Sequence, residues 1–312
     1  MISHWDDREW GRRDRGHIGG EWQTLTGTDS VTVGAKRMRI DPGKWSTPAH
    51  IEAVEEEIFF VLSGSGISWQ DGHCYPVREG DTIVHLAQEA AHTLQAADEG
   101  LEVIAFGHRA YGGATFLPRA GVSWLGPTWA RTGAEDEHPW ALEVAAGPPE
   151  VGEPEPRPKS IVNLDELEPT CEPRSTVGDS WRDLGTAAGS ERTGINHSIG
   201  IPGLLTVPPH CHSAEEEIFI VLGGEGEALL FPRGGSTEPE VHHVRRGSVL
   251  CRPPGTGISH SFRSGEDPLV YLGYGTREPN DITYYPRSGK ISFRGVGVIG
   301  RIEPLDYWDG ED

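Results

Sequence analysis

An internal repeat is the feature of this 312-residue chain that most constrains its fold. The segment HIEAVEEEIFFVLSGSG, which begins at His50, matches HCHSAEEEIFIVLGGEG, which begins at His210, at an offset of 160 residues. Downstream, VREGDTIVHLA from Val77 pairs with VRRGSVLCRPP from Val244. Because self-similarity of this extent marks one structural unit that occurs twice, we predict two copies of the same domain.

Composition and local pattern predict that both copies are built from β-strands. The chain contains 42 glycines and 24 prolines, which interrupt helices and favour tight turns. Short runs rich in Val, Ile, Phe and Tyr, such as IFFVLSGSG and DPLVYLGYG, end at glycines, as consecutive strands do. We therefore predict an all-β fold, with one helical turn near residues 162–167.

A proline-rich segment separates the two copies. GPPEVGEPEPRPKS, from Gly147, has prolines at short intervals and almost no apolar residues, which is typical of an extended, semi-rigid linker. We predict an N-terminal domain over residues 1–138, a linker over residues 139–160, and a C-terminal domain with a C-terminal extension over residues 161–312.

Charge and hydropathy limit the partners and the location of the chain. A formal net charge of −21 repels phosphate backbones and anionic headgroups, so we expect a small-molecule partner, and neither nucleic acid nor a membrane. Apolar runs are far shorter than the roughly 20 residues of a membrane span. The first residues also lack the apolar stretch of a secretory signal, so a cytoplasmic location is the expectation.

Residue types that bind metals cluster in the second copy. His210 and His212 are two residues apart, so in a strand both side chains point to the same face. Glu217 opens the next apolar run, and His260 follows in a sequence-distant segment. Imidazole and carboxylate groups are common ligands of divalent transition metals. These four residues are therefore the favoured candidate metal site.

The same residues resemble the two motifs of the cupin superfamily. The first motif is matched by His210, His212, Glu217 and Gly224, and the second by Gly247, Pro253, Gly255 and His260. His260 comes two residues late in the second motif, and the final Asn of that motif is absent. The resemblance covers both halves of the chain and implies a bicupin, with two tandem double-stranded β-helix barrels of jelly-roll type. Within the superfamily the chain is most similar to poorly characterised bacterial metal-binding cupins.

The first copy departs from the pattern. His50 is followed by Glu52 where the second histidine is expected, while Glu57 and His92 keep their places. One interpretation is a site with two histidines and two carboxylates, which favours harder ions such as Mn or Fe. The other is a degenerate barrel that is kept for packing. The loss of the Pro and Gly before His92 slightly favours degeneracy.

The resemblance implies a set of functions. Three imidazoles and one carboxylate leave positions open on a bound ion, as catalytic sites do. We expect one divalent transition metal per chain, or two if the first site binds, with Fe, Mn, Ni, Cu and Zn all open. A metal-dependent enzyme acting on a small oxygen-bearing molecule is expected, with dioxygenase-like oxidoreductase chemistry slightly ahead of isomerase, lyase or hydrolase chemistry. A non-catalytic metal- or ligand-binding cupin is the remaining alternative.

Quaternary state and the other polar residues receive simpler expectations. The fused repeat supplies the pairing that single-domain cupins obtain by dimerising, so a monomer and a homodimer are both open.

Arg252 and Arg263 are candidates to receive an anionic substrate, although arginines on a barrel rim more often face solvent. Four carboxylates are expected only to solvate their loops, namely Glu55, Glu56, Glu215 and Glu216.

Overall fold

The structure is a computed structural model that describes residues 2–109, 113–125, 138–233 and 238–311. The first half contains β1 (Ile2–His4), β2 (Trp10–Arg15), β3 (Ile18–Thr24), β4 (Val33–Ile40), β5 (Ile51–Glu52), β6 (Glu57–Gln70), β7 (His73–Arg78), β8 (Asp81–His85), β9 (His92–His108), β10 (Ala114–Leu117), β11 (Val122–Leu125) and α1 (Pro139–Ala145). The second half contains β12 (Ile161–Asn163), β13 (Thr170–Cys171), β14 (Asp179–Asp183), α2 (Leu184–Ala187), β15 (Thr193–Gly200), β16 (Cys211–His212), β17 (Glu217–Gly223), β18 (Glu225–Phe231), β19 (Glu240–Arg245), β20 (Ser248–Arg252), β21 (Ser259–Ser264), β22 (Val270–Thr276), β23 (Ile282–Tyr285), β24 (Lys290–Phe293) and β25 (Val298–Arg301).

Helices are short in the described part of the chain. The single turn expected near residues 162–167 is confirmed as a 3-10 helix over Leu164–Glu166. The seven-residue helix α1 was not predicted, and it buries Trp140 and Glu143 against the first barrel. No helix in the described ranges has both the length and the apolar character needed to cross a membrane.

Each half of the chain folds as a β-barrel, so the all-β, two-barrel prediction is confirmed. The first barrel has a large sheet in the order β12-β8-β6-β9-β4-β3-β2, with β7 paired to β6, and a smaller sheet β11-β10-β5. The second barrel repeats this plan with the sheets β1-β20-β17-β22-β15-β14-β13, β19-β18-β21 and β16-β23-β24-β25. Equivalent strands of the two copies therefore hold equivalent places.

Each barrel receives an edge strand from the other half of the chain. β1 pairs with β20 of the second barrel, where Ile2 lies opposite Leu250. β12 pairs with β8 of the first barrel, where Ile161 lies opposite Ile83. An added strand satisfies backbone groups that an open sheet edge leaves unpaired. The predicted division at residues 139–160 stays a prediction, and these exchanged strands tie the barrels together across it.

The proline-rich segment lies along the first barrel. Residues 148–158 form no helix or strand. The Trp69 side chain donates to the Glu150 carbonyl at 3.2 Å, and the Glu155 amide donates to the Cys74 carbonyl at 3.1 Å. The Arg157 guanidinium contacts the buried Asp81 carboxylate at 2.8 Å. This segment is therefore an extended connection that is fastened to the barrel surface.

The two large sheets share one apolar core. It combines buried residues of both halves, among them Ile58 and Phe106 from the first and Ile218 and Tyr274 from the second. The rings of Phe106 and Tyr274 are 4.7 Å apart between centroids, within the range of favourable aromatic pairs. Because burying apolar surface is the main favourable contribution to folding, this shared core makes the barrels stabilise each other.

A buried carboxylate from the second barrel is bound by a loop of the first. Glu216 is fully buried, and its oxygens accept from Ser30 Oγ at 2.9 Å, the Val31 amide at 2.9 Å, and the Thr32 amide and Oγ1 at 2.6 Å. A buried carboxylate is tolerated only when its oxygens are hydrogen-bonded in this way.

The first barrel makes the reciprocal contact. Glu56, 1% exposed, accepts from Ser190 Oγ at 2.8 Å, from the Glu191 amide at 2.9 Å and from the amide and hydroxyl of Thr193. The expectation that Glu56 and Glu216 only solvate their loops is therefore wrong. Each carboxylate accepts hydrogen bonds from several donors in the opposite half of the chain, so these two contacts join the barrels.

We expect Glu216→Ala to lower the free energy of unfolding by about 3 kcal/mol, because the substitution leaves the buried donors of the 30–32 loop without an acceptor. Glu56→Ala should have a similar effect through the reciprocal contact. Denaturant unfolding of chelator-treated protein measures both, with the exposed Glu303→Ala as the control. A loss no larger than that of the control would contradict the role assigned to Glu216.

Candidate metal centre

The fold brings the four favoured ligands of the second copy together. His212 lies on β16, Glu217 begins β17, His260 lies on β21, and His210 forms a backbone bridge to His260. Glu217 Oε2 is 3.0 Å from His260 Nε2 and 3.5 Å from His212 Nε2. The ring centroid of His210 is 4.8 Å from that of His260 and 5.0 Å from that of His212. Only the closed barrel makes neighbours of these groups.

The atoms that face one another at this site suit a metal ion. Nε2 of His212, Nε2 of His260 and Oε2 of Glu217 are buried, and their contacts with one another are not aligned as hydrogen bonds. Buried polar atoms without partners are costly, and a shared cation satisfies all three. In His210 the Nδ1 nitrogen is already used, because it donates to the Pro208 carbonyl at 2.8 Å. That bond leaves Nε2 of His210 as the unprotonated, ligating nitrogen.

The electrostatics of the cluster favour these protonation states for His260 and Glu217. Burial lowers the pKa of His260 to about 4, so its imidazole is neutral near pH 7. Burial alone would raise the pKa of the Glu217 carboxyl, but the adjacent imidazoles of His260 and His212 bring it well below its usual range. A neutral imidazole beside an ionised carboxylate is the form in which these groups bind divalent metals.

Asp281 is a residue of the site that sequence reasoning missed. Its fully buried carboxylate accepts from His212 Nδ1 at 2.7 Å and from the Ala214 amide at 2.9 Å. A carboxylate on the far nitrogen of a metal-binding histidine fixes the orientation and tautomer of the ring. The repeat places Gly113 of the first copy opposite Asp281. The sequence did contain a signal for Asp281, which is that a carboxylate occurs at this position only in the copy with all four candidate ligands.

Glu215 is also buried in this site rather than solvated in a loop, so that expectation is wrong. Its Oε1 accepts from the Glu278 amide at 2.9 Å and contacts the Arg294 guanidinium, and its Oε2 is 3.6 Å from His212 Nδ1. Burial raises the pKa of Glu215 to about 7 against the opposing effect of Arg294. Arg294 comes from the C-terminal extension, which thus completes one wall of the site.

The first copy assembles a different cluster. His50 Nε2 and His92 Nε2 hydrogen-bond to Oε2 of Glu57, at 3.2 and 3.0 Å. The Glu52 carboxylate is 3.8 Å from His50 Nε2, but it accepts from the Thr115 hydroxyl at 2.9 Å and lies outside the close cluster. The structure therefore groups three of the four candidate residues of the first copy. Metal binding by either copy stays a prediction.

A further histidine that the sequence reasoning passed over lies behind the first cluster. The His85 ring stacks on that of His92 at 3.7 Å between centroids and 6° between planes. In the repeat, His85 corresponds to Arg252. The Arg252 side chain is buried and donates to the Ile258 carbonyl at 2.7 Å, whereas the exposed Arg263 pairs with Glu227 at 2.7 Å.

The interiors of the two barrels differ. A cavity of about 420 Å³ opens beside the second cluster, and its wall includes His210, Glu217 and His260. In the first barrel the cavity that reaches Glu57 measures about 130 Å³. Three matched positions show the cause, since the cavity-lining Ser198, Phe262 and Tyr271 are replaced in the first barrel by the core residues Met38, Leu94 and Val103. Apolar side chains fill the first barrel where the second is open and polar.

We expect the purified chain to contain about one divalent ion, bound in the second barrel, because only in that cluster are the facing ligand atoms not aligned as hydrogen bonds to one another. His260→Ala should remove the ion, and the matched His92→Ala should leave it in place. Elemental analysis of both variants measures this. A content of two ions per chain, or loss of the ion in His92→Ala, would show that the first cluster also binds.

We expect Asp281→Ala to weaken metal binding by about 10-fold to 100-fold, because His212 loses the acceptor that orients its ring. Asp281→Asn keeps an oxygen at the same place and should restore most of the affinity. Competition with a chromogenic chelator measures the affinities, and thermal unfolding checks that both variants fold. Equal affinities for the Ala variant and the unmodified chain would rule out this positioning role.

Comparisons with known proteins agree with this architecture. A family model described as "Cupin domain" matches residues 36–106, and one described as "Cupin" matches residues 206–295. No curated protein matches the sequence.

The fold is similar to oxalate decarboxylase from Bacillus subtilis, a protein with Mn(II) centres, at 18% identity over 88% of this chain and 76% of that chain, with a TM-score of 0.58. It is also similar to a formate complex of oxalate decarboxylase from Lactobacillus farciminis, at 16% identity over 89% of this chain and 86% of that chain, with a TM-score of 0.59. The chain belongs to the cupin superfamily and is a bicupin.

Proposed function

We propose that the chain is a metal-dependent enzyme of cupin type whose second barrel acts on a small oxygen-bearing molecule by lyase chemistry. One observation carries the proposal. In the described part of the chain, converging ligand atoms that are not aligned as hydrogen bonds to one another and an open polar cavity occur together only in the second barrel. A concave site with a few convergent polar groups is where small-molecule chemistry is expected.

The ligands are arranged to leave an ion accessible to substrate. His210, Glu217 and His260 line the cavity wall, so a substrate that enters the cavity reaches the ion directly. A divalent ion bound there would supply Lewis-acid polarisation of a substrate oxygen. The chain contributes the positioning of the ligands, since Asp281 orients His212.

Glu215 supports lyase chemistry over a reaction with dioxygen. A decarboxylating lyase must deliver a proton to the carbon that loses CO₂, which a general acid near the ion can supply. The Glu215 carboxyl lies on the cavity wall beside the cluster and is not one of the four favoured ligands. The two similar structures named above, both oxalate decarboxylases, support the same reaction class.

Dioxygenase-like chemistry, which the sequence slightly favoured, is the second candidate. Three imidazoles and one carboxylate also suit redox-active iron or copper. Such a reaction consumes dioxygen, whereas a lyase reaction does not. A non-catalytic cupin would account for the ligands but gives Glu215 no role.

We expect turnover without oxygen consumption when metal-loaded protein is tested against a panel of hydroxy acids, keto acids and catechols. Glu215→Gln should retain its metal and lower the rate by about 10²-fold or more, because the amide cannot deliver the proton. The matched Glu55→Gln in the first barrel should leave the rate unchanged. Oxygen uptake in proportion to product would overturn the lyase assignment, and an unchanged rate in Glu215→Gln would remove Glu215 from the chemistry.

A further inference from the structure

The second cavity has a polar wall that the metal site does not use. Asp179 lies on β14 and Ser198 on the adjacent β15, two residues along from directly opposite positions, and Tyr271 lies on β22 opposite Ser198. All three are buried and line the cavity, and burial raises the pKa of Asp179 against the opposing effect of hydrogen bonding with Ser198 and Tyr271. Serine, tyrosine and aspartate in such an arrangement offer both donors and acceptors to a ligand.

Aromatic rings connect this wall to the metal cluster. The centroids of Phe219 and His260 are 5.3 Å apart, those of Phe219 and Phe262 are 5.1 Å apart, and those of Phe262 and Tyr271 are 5.2 Å apart. All four rings line the cavity, and the half-buried Trp181 lies in the same lining. Flat aromatic faces pack well against the C–H groups of a ring-shaped ligand whose hydroxyls bond elsewhere.

The charges of the cavity limit how many carboxylates a ligand can carry. Two arginines line the described part of the cavity, and both are engaged. Arg277 donates to the Ser190 carbonyl and to Thr186 Oγ1 and lies 3.8 Å from the Asp183 carboxylate, and Arg294 pairs with Glu215. A divalent ion with Glu217 leaves one net positive charge, which neutralises one carboxylate. Asp179 on the other wall repels a second carboxylate.

We infer that the molecule bound by the second barrel is hydroxyl-rich, of monosaccharide size, and carries at most one carboxylate. Its oxygens at one end face the ion, and its distal hydroxyls hydrogen-bond to Asp179, Ser198 and Tyr271. This inference rests on the proposed function, because it assigns a ligand to the same cavity. It also disfavours longer dicarboxylates, because a carboxylate at the end away from the ion would lie near Asp179 rather than near an uncompensated cationic group.

Calorimetric titration of the metal-loaded chain tests the inference. The probes are D-gluconate, D-galacturonate and D-xylose, compared with oxalate, malonate and succinate, and with butyrate as a monocarboxylate without hydroxyls. We expect at least one hydroxyl-rich probe to bind about tenfold more tightly than every dicarboxylate and than butyrate. Tighter binding of a dicarboxylate or of butyrate, or no binding of any hydroxyl-rich probe at millimolar concentration, overturns the inference.

Matched variants test whether binding uses this wall. Ser198→Met introduces the side chain that occupies the same position in the first barrel, and it should weaken binding of the hydroxyl-rich probe by about tenfold or more while metal content is unchanged. Met38→Ser in the first barrel should leave binding unchanged. Asp179→Asn, which keeps the size of the side chain, gives a second test if Ser198→Met folds poorly. Unchanged affinity in Asp179→Asn, or in folded Ser198→Met, overturns the inference.

Chelator-treated protein separates this inference from the proposed function. If the hydroxyl-rich probe binds equally with and without metal and Ser198→Met still weakens it, the ligand class stands and the metal-dependent function fails. If metal is bound and Glu215→Gln lowers turnover but dicarboxylates bind best, the proposed function stands and the ligand class fails.

Discussion

The reciprocal burial of Glu56 and Glu216 is the constraint on which the rest of the structure depends. Each carboxylate finds its donors only on a loop of the opposite barrel, so neither barrel satisfies its own buried charge. Glu216 immediately precedes the candidate ligand Glu217, and Glu56 immediately precedes Glu57. Because consecutive residues of an extended chain face opposite ways, the first of each pair reaches into the neighbouring barrel while the second points into its own. The interface therefore fixes the position of the carboxylate in each candidate metal cluster.

The two copies share residues that support the interface between the barrels, but they differ in the residues of the barrel interiors. Arg109 and Arg277, at matched positions, donate to the carbonyls of Ser30 and Ser190, so the supports of both interface loops are the same. Inside the barrels the constraint is weaker, because volume and polarity can vary while the strand pairing stays. Met38 in place of Ser198 closes the first barrel without altering the pairing of its strand with β3. One barrel is thus packed as a core and the other is open as a cavity.

The sequence predicted the features that are local or repeated. The offset of 160 residues, the short strands and the His210–His212 spacing were enough for the two-barrel fold and for the cluster of favoured ligands. The interface carboxylates were missed because a Glu-Glu-Glu run looks the same whether it faces water or a loop 186 residues away. The strand exchange was missed because a three-residue strand carries too little pattern to indicate its partner. The cavity was missed because side chains that line a space and side chains that fill it are told apart only by packing.

Glu52, in place of a histidine, changes the geometry of the first cluster as well as its set of candidate ligands. Thr115 and Thr283 occupy matched positions, and each donates its hydroxyl to a carboxylate, which is Glu52 in the first copy and Asp281 in the second. In the second copy this carboxylate orients His212. In the first copy it is the side chain of Glu52, which stands where the second histidine is expected. The first cluster therefore lacks a group in the role of His212. Its Glu57 is instead hydrogen-bonded by two imidazoles, and an ion must displace both bonds to enter. In the second cluster Glu217 Oε2 is also 3.0 Å from His260 Nε2, but this contact is not aligned as a hydrogen bond, so an ion displaces fewer bonds there.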